Sequence, residues 1–126
     1  MGSSFYQRLA QLQPGESVGQ AYQRIAEECA YESGHSYSGD FGSKMNGVVV
    51  YRVPATCQQL TALKRSGVLE CLAYEISDAG RAALDACGIK PVQFATFAQI
   101  LDDKWGPALA LRCEDGTVLF AGECSS

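Results

Sequence analysis

Leu109-Ala110-Leu111-Arg112-Cys113-Glu114-Asp115-Gly116-Thr117-Val118-Leu119-Phe120 is the stretch on which the fold turns. Two apolar runs flank Asp-Gly, a dipeptide suited to a tight hairpin because both residues tolerate a positive φ. With Asp115-Gly116 as a two-residue turn, Cys113 stands opposite Val118 and Leu111 opposite Phe120 on one side. Arg112 then stands opposite Leu119 on the other side. The chain is therefore expected to end in a β-hairpin that turns Leu109, Leu111 and Cys113 toward a core.

Upstream of the hairpin, after Pro91, Phe94, Phe97, Ala98, Leu101 and Trp105 recur at i, i+3, i+4, i+7 and i+11. That is the stripe of an amphipathic helix, ended by Gly106-Pro107. Ser77 reads as the cap of another helix, Asp78 to Cys87, closed by Gly88. Val68 to Ile76 reads as a strand with Val68, Leu72, Tyr74 and Ile76 on one face. Ala55 to Ser66 reads as a short helix with Leu60 and Leu63 inward, Lys64 and Arg65 in its last turn and Gly67 as its stop. Gly47 to Val53 is a strand ended by Pro54, and its β-branched run implies burial on both faces near the middle of a sheet.

At the other terminus, Ser4 to Gln13 places Phe5, Leu9 and Leu12 at i, i+4 and i+7 and reads as a helix broken by Pro14-Gly15. A second helix starts at Ser17, where Ser17-x-x-Gln20 has the form of a capping box. Its stripe is Val18, Tyr22, Ile25 and Cys29, and Gly34 is its stop. Between this helix and the strand, Ser33 to Gly47 is rich in glycine and serine and excludes regular structure. Ordered loops of that length usually carry function or move. The element order predicts one α+β domain over residues 1–126, with four or five short helices packed on a small mixed or antiparallel sheet ending in the hairpin.

The 126 residues are 47% hydrophobic and 19% charged, enough apolar content for a core. A net charge of −4 argues against nucleic acid or an anionic membrane as a partner through bulk charge. No apolar run approaches the roughly 18 residues of a spanning helix. Met1-Gly2-Ser3-Ser4-Phe5 does not read as a leader, so the expected location is cytoplasmic. The six cysteines Cys29, Cys57, Cys71, Cys87, Cys113 and Cys124 contain no Cys-x-x-Cys pair, and His35 is the single histidine. They read as reduced, mostly buried thiols, with no metal and no cofactor expected.

Thr56-Cys57-Gln58-Gln59-Leu60-Thr61-Ala62-Leu63-Lys64-Arg65-Ser66-Gly67-Val68-Leu69-Glu70, followed by Tyr74-Glu75-Ile76-Ser77-Asp78-Ala79-Gly80-Arg81-Ala82-Ala83-Leu84, resembles the recognition helix and wing of winged-helix regulators. The likeness covers residues 56–84. It implies a transcriptional regulator that contacts DNA through Lys64 and Arg65.

Two other readings compete with that one. An enzyme would use His35, the one side chain that ordinarily titrates near neutrality, oriented by Asp40. Ser36, Ser38, Ser43 or Cys57 would then be its nucleophile. No nucleophile-elbow, phosphate-loop or His-Glu-x-x-His motif is present, so no residue is assigned to catalysis. The reading ranked first is a protein-binding protein, an inhibitor or adaptor that meets a partner with a basic surface. Small acidic proteins such as phage-encoded inhibitors of nucleic-acid machinery share this composition. Asp102, Asp103, Glu114 and Asp115 supply the charge, since residues 91–126 hold five acids against two bases. Tyr37 and Phe41, with Asp40 between the two, are the expected aromatic anchors on the loop.

Overall fold

A computed structural model describes residues 3–32, 40–44, 46–70 and 76–125. The elements are β1 (Ser3–Gln11), α1 (Val18–Glu32), a 3-10 turn (Phe41–Ser43), β2 (Val48–Arg52), α2 (Cys57–Ser66), α3 (Asp78–Ala86), α4 (Pro91–Leu101), β3 (Ala108–Arg112) and β4 (Thr117–Ser125). The strands form one mixed sheet in the order β1-β4-β3-β2. β4 pairs antiparallel with both β1 and β3, and β2 runs parallel to β3. The described residues form an α+β fold of four helices on a small mixed sheet, as the element order predicts.

The two-residue period of a strand sorts the sheet into two faces. Leu109, Leu111 and Leu119, with Phe5, Leu9 and Tyr51, pack with Leu60, Leu63, Leu84, Phe94 and Phe97 of α2, α3 and α4. Ala108, Ala110, Val118 and Phe120, with Tyr6 and Ala10, pack with Val18, Tyr22, Ile25 and Cys29 of α1 and with Phe41. Both central strands are covered on both sides, so adjacent residues from Ala108 to Leu111 are all buried.

The hairpin forms at the expected place but in a different register. Cys113 N–H donates to the Thr117 carbonyl at 3.0 Å, and Gly116 N–H donates to the Cys113 carbonyl at 3.2 Å. The loop is therefore Glu114-Asp115-Gly116, three residues long, with Gly116 at φ 88° in the left-handed position such a loop requires. One extra loop residue moves every cross-strand pair by one. Leu111 faces Leu119, Ala110 faces Phe120 and Arg112 faces Val118. Leu111 and Phe120 are both fully buried, on opposite faces of the sheet.

The N-terminal segment is a strand, not the expected helix. Phe5 and Leu9 are four residues apart, a spacing that repeats on one face of a helix and equally on one face of a strand. The decision is tertiary, because Ser3 to Gln11 pairs residue by residue with Ser125 to Thr117. β2 is likewise an edge strand and not a central one, with Val50 43% exposed. Val68 to Glu70 form a turn after α2 where a strand was expected. Val68 N–H donates to Ser66 Oγ at 3.2 Å and Glu70 N–H to the Gly67 carbonyl at 3.1 Å, local bonds that compete with strand pairing. The rest of that predicted strand, residues 71–75, lies outside the described residues.

Helix starts follow the sequence closely. Gln20 N–H donates to Ser17 Oγ at 3.1 Å and Ser17 N–H to Gln20 Oε1 at 2.9 Å, closing the capping box of α1. Thr56 with Gln59 does the same for α2, and Ser77 caps α3. The end of α4 differs: the helix stops at Leu101, four residues before Trp105. Phe94, Phe97 and Leu101 already fill its buried face, and the chain then bends around Asp103.

Candidate functional site

A lysine lies in the core beneath this bend. Asp40 begins the approach to it by accepting from Gly42 N–H at 2.9 Å, which caps the 3-10 turn. Phe41 then enters an aromatic group, its ring centroid 4.7 Å from Tyr6, 5.1 Å from Tyr22 and 6.5 Å from Phe120. Lys44 follows at 1% exposure. Its carbonyl accepts from the Tyr22 hydroxyl at 2.5 Å. Its side chain crosses the backbone of β4 at Gly122, where a Cβ would meet Lys44 Cε at 2.8 Å. Only glycine leaves that track open. The ammonium then donates to the Asp103 carbonyl at 2.5 Å.

Burial pulls the Lys44 pKa down, and the nearby Cys124, Asp103 and Glu123 act against that pull. Burial pushes the Cys124 thiol up to about 12, with Lys44 opposing, so the thiol stays protonated at neutral pH. Burial also raises the Tyr22 phenol, reinforced by Cys124 and Cys29. Neither group is poised to act as a nucleophile. Lys44 is a structural cation here, fixing the bend after α4 to the α1 face of the sheet.

The bend is held from several sides. Asp103 Oδ1 accepts from Trp105 N–H at 3.1 Å and from Gly106 N–H at 3.0 Å. Asn46 Nδ2 donates to the Trp105 carbonyl. On this frame the Trp105 side chain is 51% exposed, with the Lys104 ammonium 5.2 Å from its ring centroid. Asp102 caps the end of α4 through its backbone N–H, and its side chain is exposed beside the turn. The arrangement displays an indole next to carboxylates on a backbone with little freedom left.

The other expected site residues separate. Glu114 and Asp115 lie at the far end of β3, about 13 Å of strand away at ~3.3 Å per residue, so the acidic pairs do not form one patch. Asp115 belongs to the hairpin loop: Cys113 Sγ donates to its Oδ1 at 2.6 Å and Thr117 N–H at 2.9 Å. Those bonds hold its carboxylate below the usual range, the Cys113 contact contributing most. Phe41 is fully buried, which corrects its expected role as an exposed anchor. Its ring is more use to the core than to solvent, because three other aromatic rings surround it. Tyr37, His35 and Cys71 lie outside the described residues. Lys64 and Arg65 end α2; the Lys64 carbonyl accepts from Gln7 Nε2 at 3.0 Å, and Arg65 borders a groove between α2 and α3. Cys29, Cys87, Cys113 and Cys124 are buried free thiols and Cys57 is an exposed one. Among the described residues, no group of three or more His, Cys, Asp or Glu side chains converges as a metal site, and no helix is long and apolar enough to cross a membrane.

Sequence reasoning missed Lys44 and misplaced Trp105. Helical spacing put Trp105 on the buried stripe of α4, yet Asp102-Asp103-Lys104 just before it is a polar run in which no stripe continues. No protein-family model, curated protein or solved structure matches the chain, so its functional reading rests on the site alone.

Proposed function

We propose that the chain is a small protein-binding protein, an inhibitor or adaptor, which docks a basic partner on the turn Asp102–Gly106 without a cofactor. The observation that carries this reading is the half-exposed Trp105 on a turn bonded to a buried lysine. Tryptophan dominates binding hot spots because it buries a large rigid area at low conformational cost. A turn already fixed in the unbound chain reduces that cost further. Asp102 and Asp103 steer a cationic surface toward the indole and discourage acidic competitors.

The experiment is affinity capture from an extract of the source cell with the parent, Trp105→Ala and Asp102→Asn, followed by binding kinetics on the captured protein. Trp105→Ala should raise the off-rate by about 30-fold, equivalent to about 2 kcal/mol. Asp102→Asn should lower the on-rate and reduce its dependence on salt. A partner held equally well by the parent and Trp105→Ala removes the turn from the interface.

A further inference from the structure

Two arginines stand side by side at the carboxyl ends of the parallel strands. Arg52 is the last residue of β2 and Arg112 the last of β3, and the two are register partners. Their Cα atoms are about 4.8 Å apart across the ladder, and their side chains leave the same face of the sheet. Val53 N–H donates to the Arg112 carbonyl at 2.9 Å, which locks the strands just beyond the pair.

Like charges directly opposite one another destabilise a sheet unless something neutralises them. Among the described residues, the ion pairs are made by Arg8 and Arg24 with Glu16 and Glu28, and neither Arg52 nor Arg112 makes one. Arg112 Nε is buried and has no acceptor among the described residues. A buried donor of a charged group left in this state is an uncommon and costly feature. Both arginines line a cleft of about 520 Å³ with Val53, Pro54, Cys113 and Glu114. That volume lies within the range of small-molecule sites.

We propose that this cleft binds a small phosphomonoester. Two guanidinium groups supply two charges and several planar donors, which match the dianion and oxygen fork of a single phosphate. A phosphate bound between the guanidinium groups neutralises the repulsion between the arginines. Glu114 in the same lining accepts a hydrogen bond from a ligand hydroxyl and repels a second phosphate, which favours a polyol or sugar monophosphate over a polyanion. Val53 and Pro54 give the carbon skeleton an apolar wall.

The test is titration of the isotope-labelled chain with glycerol 3-phosphate, with free glycerol as control and ionic strength held constant by chloride. Saturable shifts are expected at the amides of Val53, Arg112 and Cys113 with glycerol 3-phosphate and not with glycerol. Arg52→Gln, at an exposed position, should keep the amide spectrum of the fold and weaken binding by about tenfold or more. Arg112→Gln should do the same. Shifts that do not saturate, or that persist equally in both variants, would overturn the proposal.

Discussion

The two ends of β3 each carry cationic side chains, and the fold handles them in opposite ways. At the amino end, Lys44 is buried, but its ammonium has the Asp103 carbonyl and its backbone carbonyl has the Tyr22 hydroxyl. At the carboxyl end, Arg112 and Arg52 stand together and, among the described residues, no carboxylate is bonded to them and one buried Nε has no acceptor. A buried cation with its partners in place reads as architecture, because removing either partner strands the other in a low-dielectric interior. A cation whose partner is lacking points to something that binds from outside.

That contrast is broken most severely at Lys44. Lys44→Ala should cost about 2–4 kcal/mol, combining a cavity over Gly122 with an unsatisfied Asp103 carbonyl. Urea unfolding measures the loss. Trp105 is the single tryptophan, so its emission should shift in the same variant before global unfolding. Unchanged stability and emission would show that Lys44 does not hold the turn.

Gly122→Ala attacks the same track from the sheet side. Its Cβ would meet Lys44 Cε at 2.8 Å, so the lysine must move, at about 1–3 kcal/mol in the same unfolding experiment. A neutral result would mean that the side chain has room to spare.

Alkaline pH probes the chemistry around Lys44 with no change of sequence. The folded Cys124 pKa, about 12, lies above the ordinary 9.0. The unfolded chain therefore releases this proton first, and stability present below pH 9 is lost as pH rises toward 12. Between pH 9 and 10 this thiol alone should cost about 1 kcal/mol. The depressed Lys44 pKa acts in the other direction, favouring the folded state once its ammonium deprotonates. Cys124→Ala should consequently flatten the alkaline decline of a pH series of urea midpoints; an identical slope would contradict the assignment.

The smallest effect belongs to Arg52. Arg52→Gln should change stability by no more than about 0.5 kcal/mol, or raise it slightly by relieving its register partner. A substantial loss would mean that Arg52 has a structural partner and that the two ends of β3 are alike.

What the sequence revealed follows the range of the interactions involved. Caps at Ser17 and Ser77 are settled within three or four residues, and α1 and α3 start where those residues indicate, whereas α2 starts two residues after the expected Ala55, capped by Thr56. Ser3 to Gln11 was illegible because its apolar spacing suits both periods, and its pairing partner lies more than a hundred residues away. The hairpin register depended on whether Glu114 joined the turn, which the position of Gly116 and the bonds to Asp115 decide. Of the candidate site, the acidic pair Asp102-Asp103 was visible as composition. Its mounting on Lys44, 59 residues earlier, was not. Arg52 and Arg112 become neighbours only through the parallel pairing of two strands that three helices separate.

The binding reading stands or falls on the turn being rigid in the unbound chain, and native-state hydrogen exchange at the Trp105 and Gly106 amides measures this directly. Both donate to Asp103 Oδ1. They should therefore exchange well below the rate of an unstructured peptide in the parent, and approach that rate in Asp103→Ala while the β3–β4 amides remain protected. Unprotected exchange at both amides in the parent would contradict the account, because Trp105 would then be carried on a mobile loop and not on a preformed anchor.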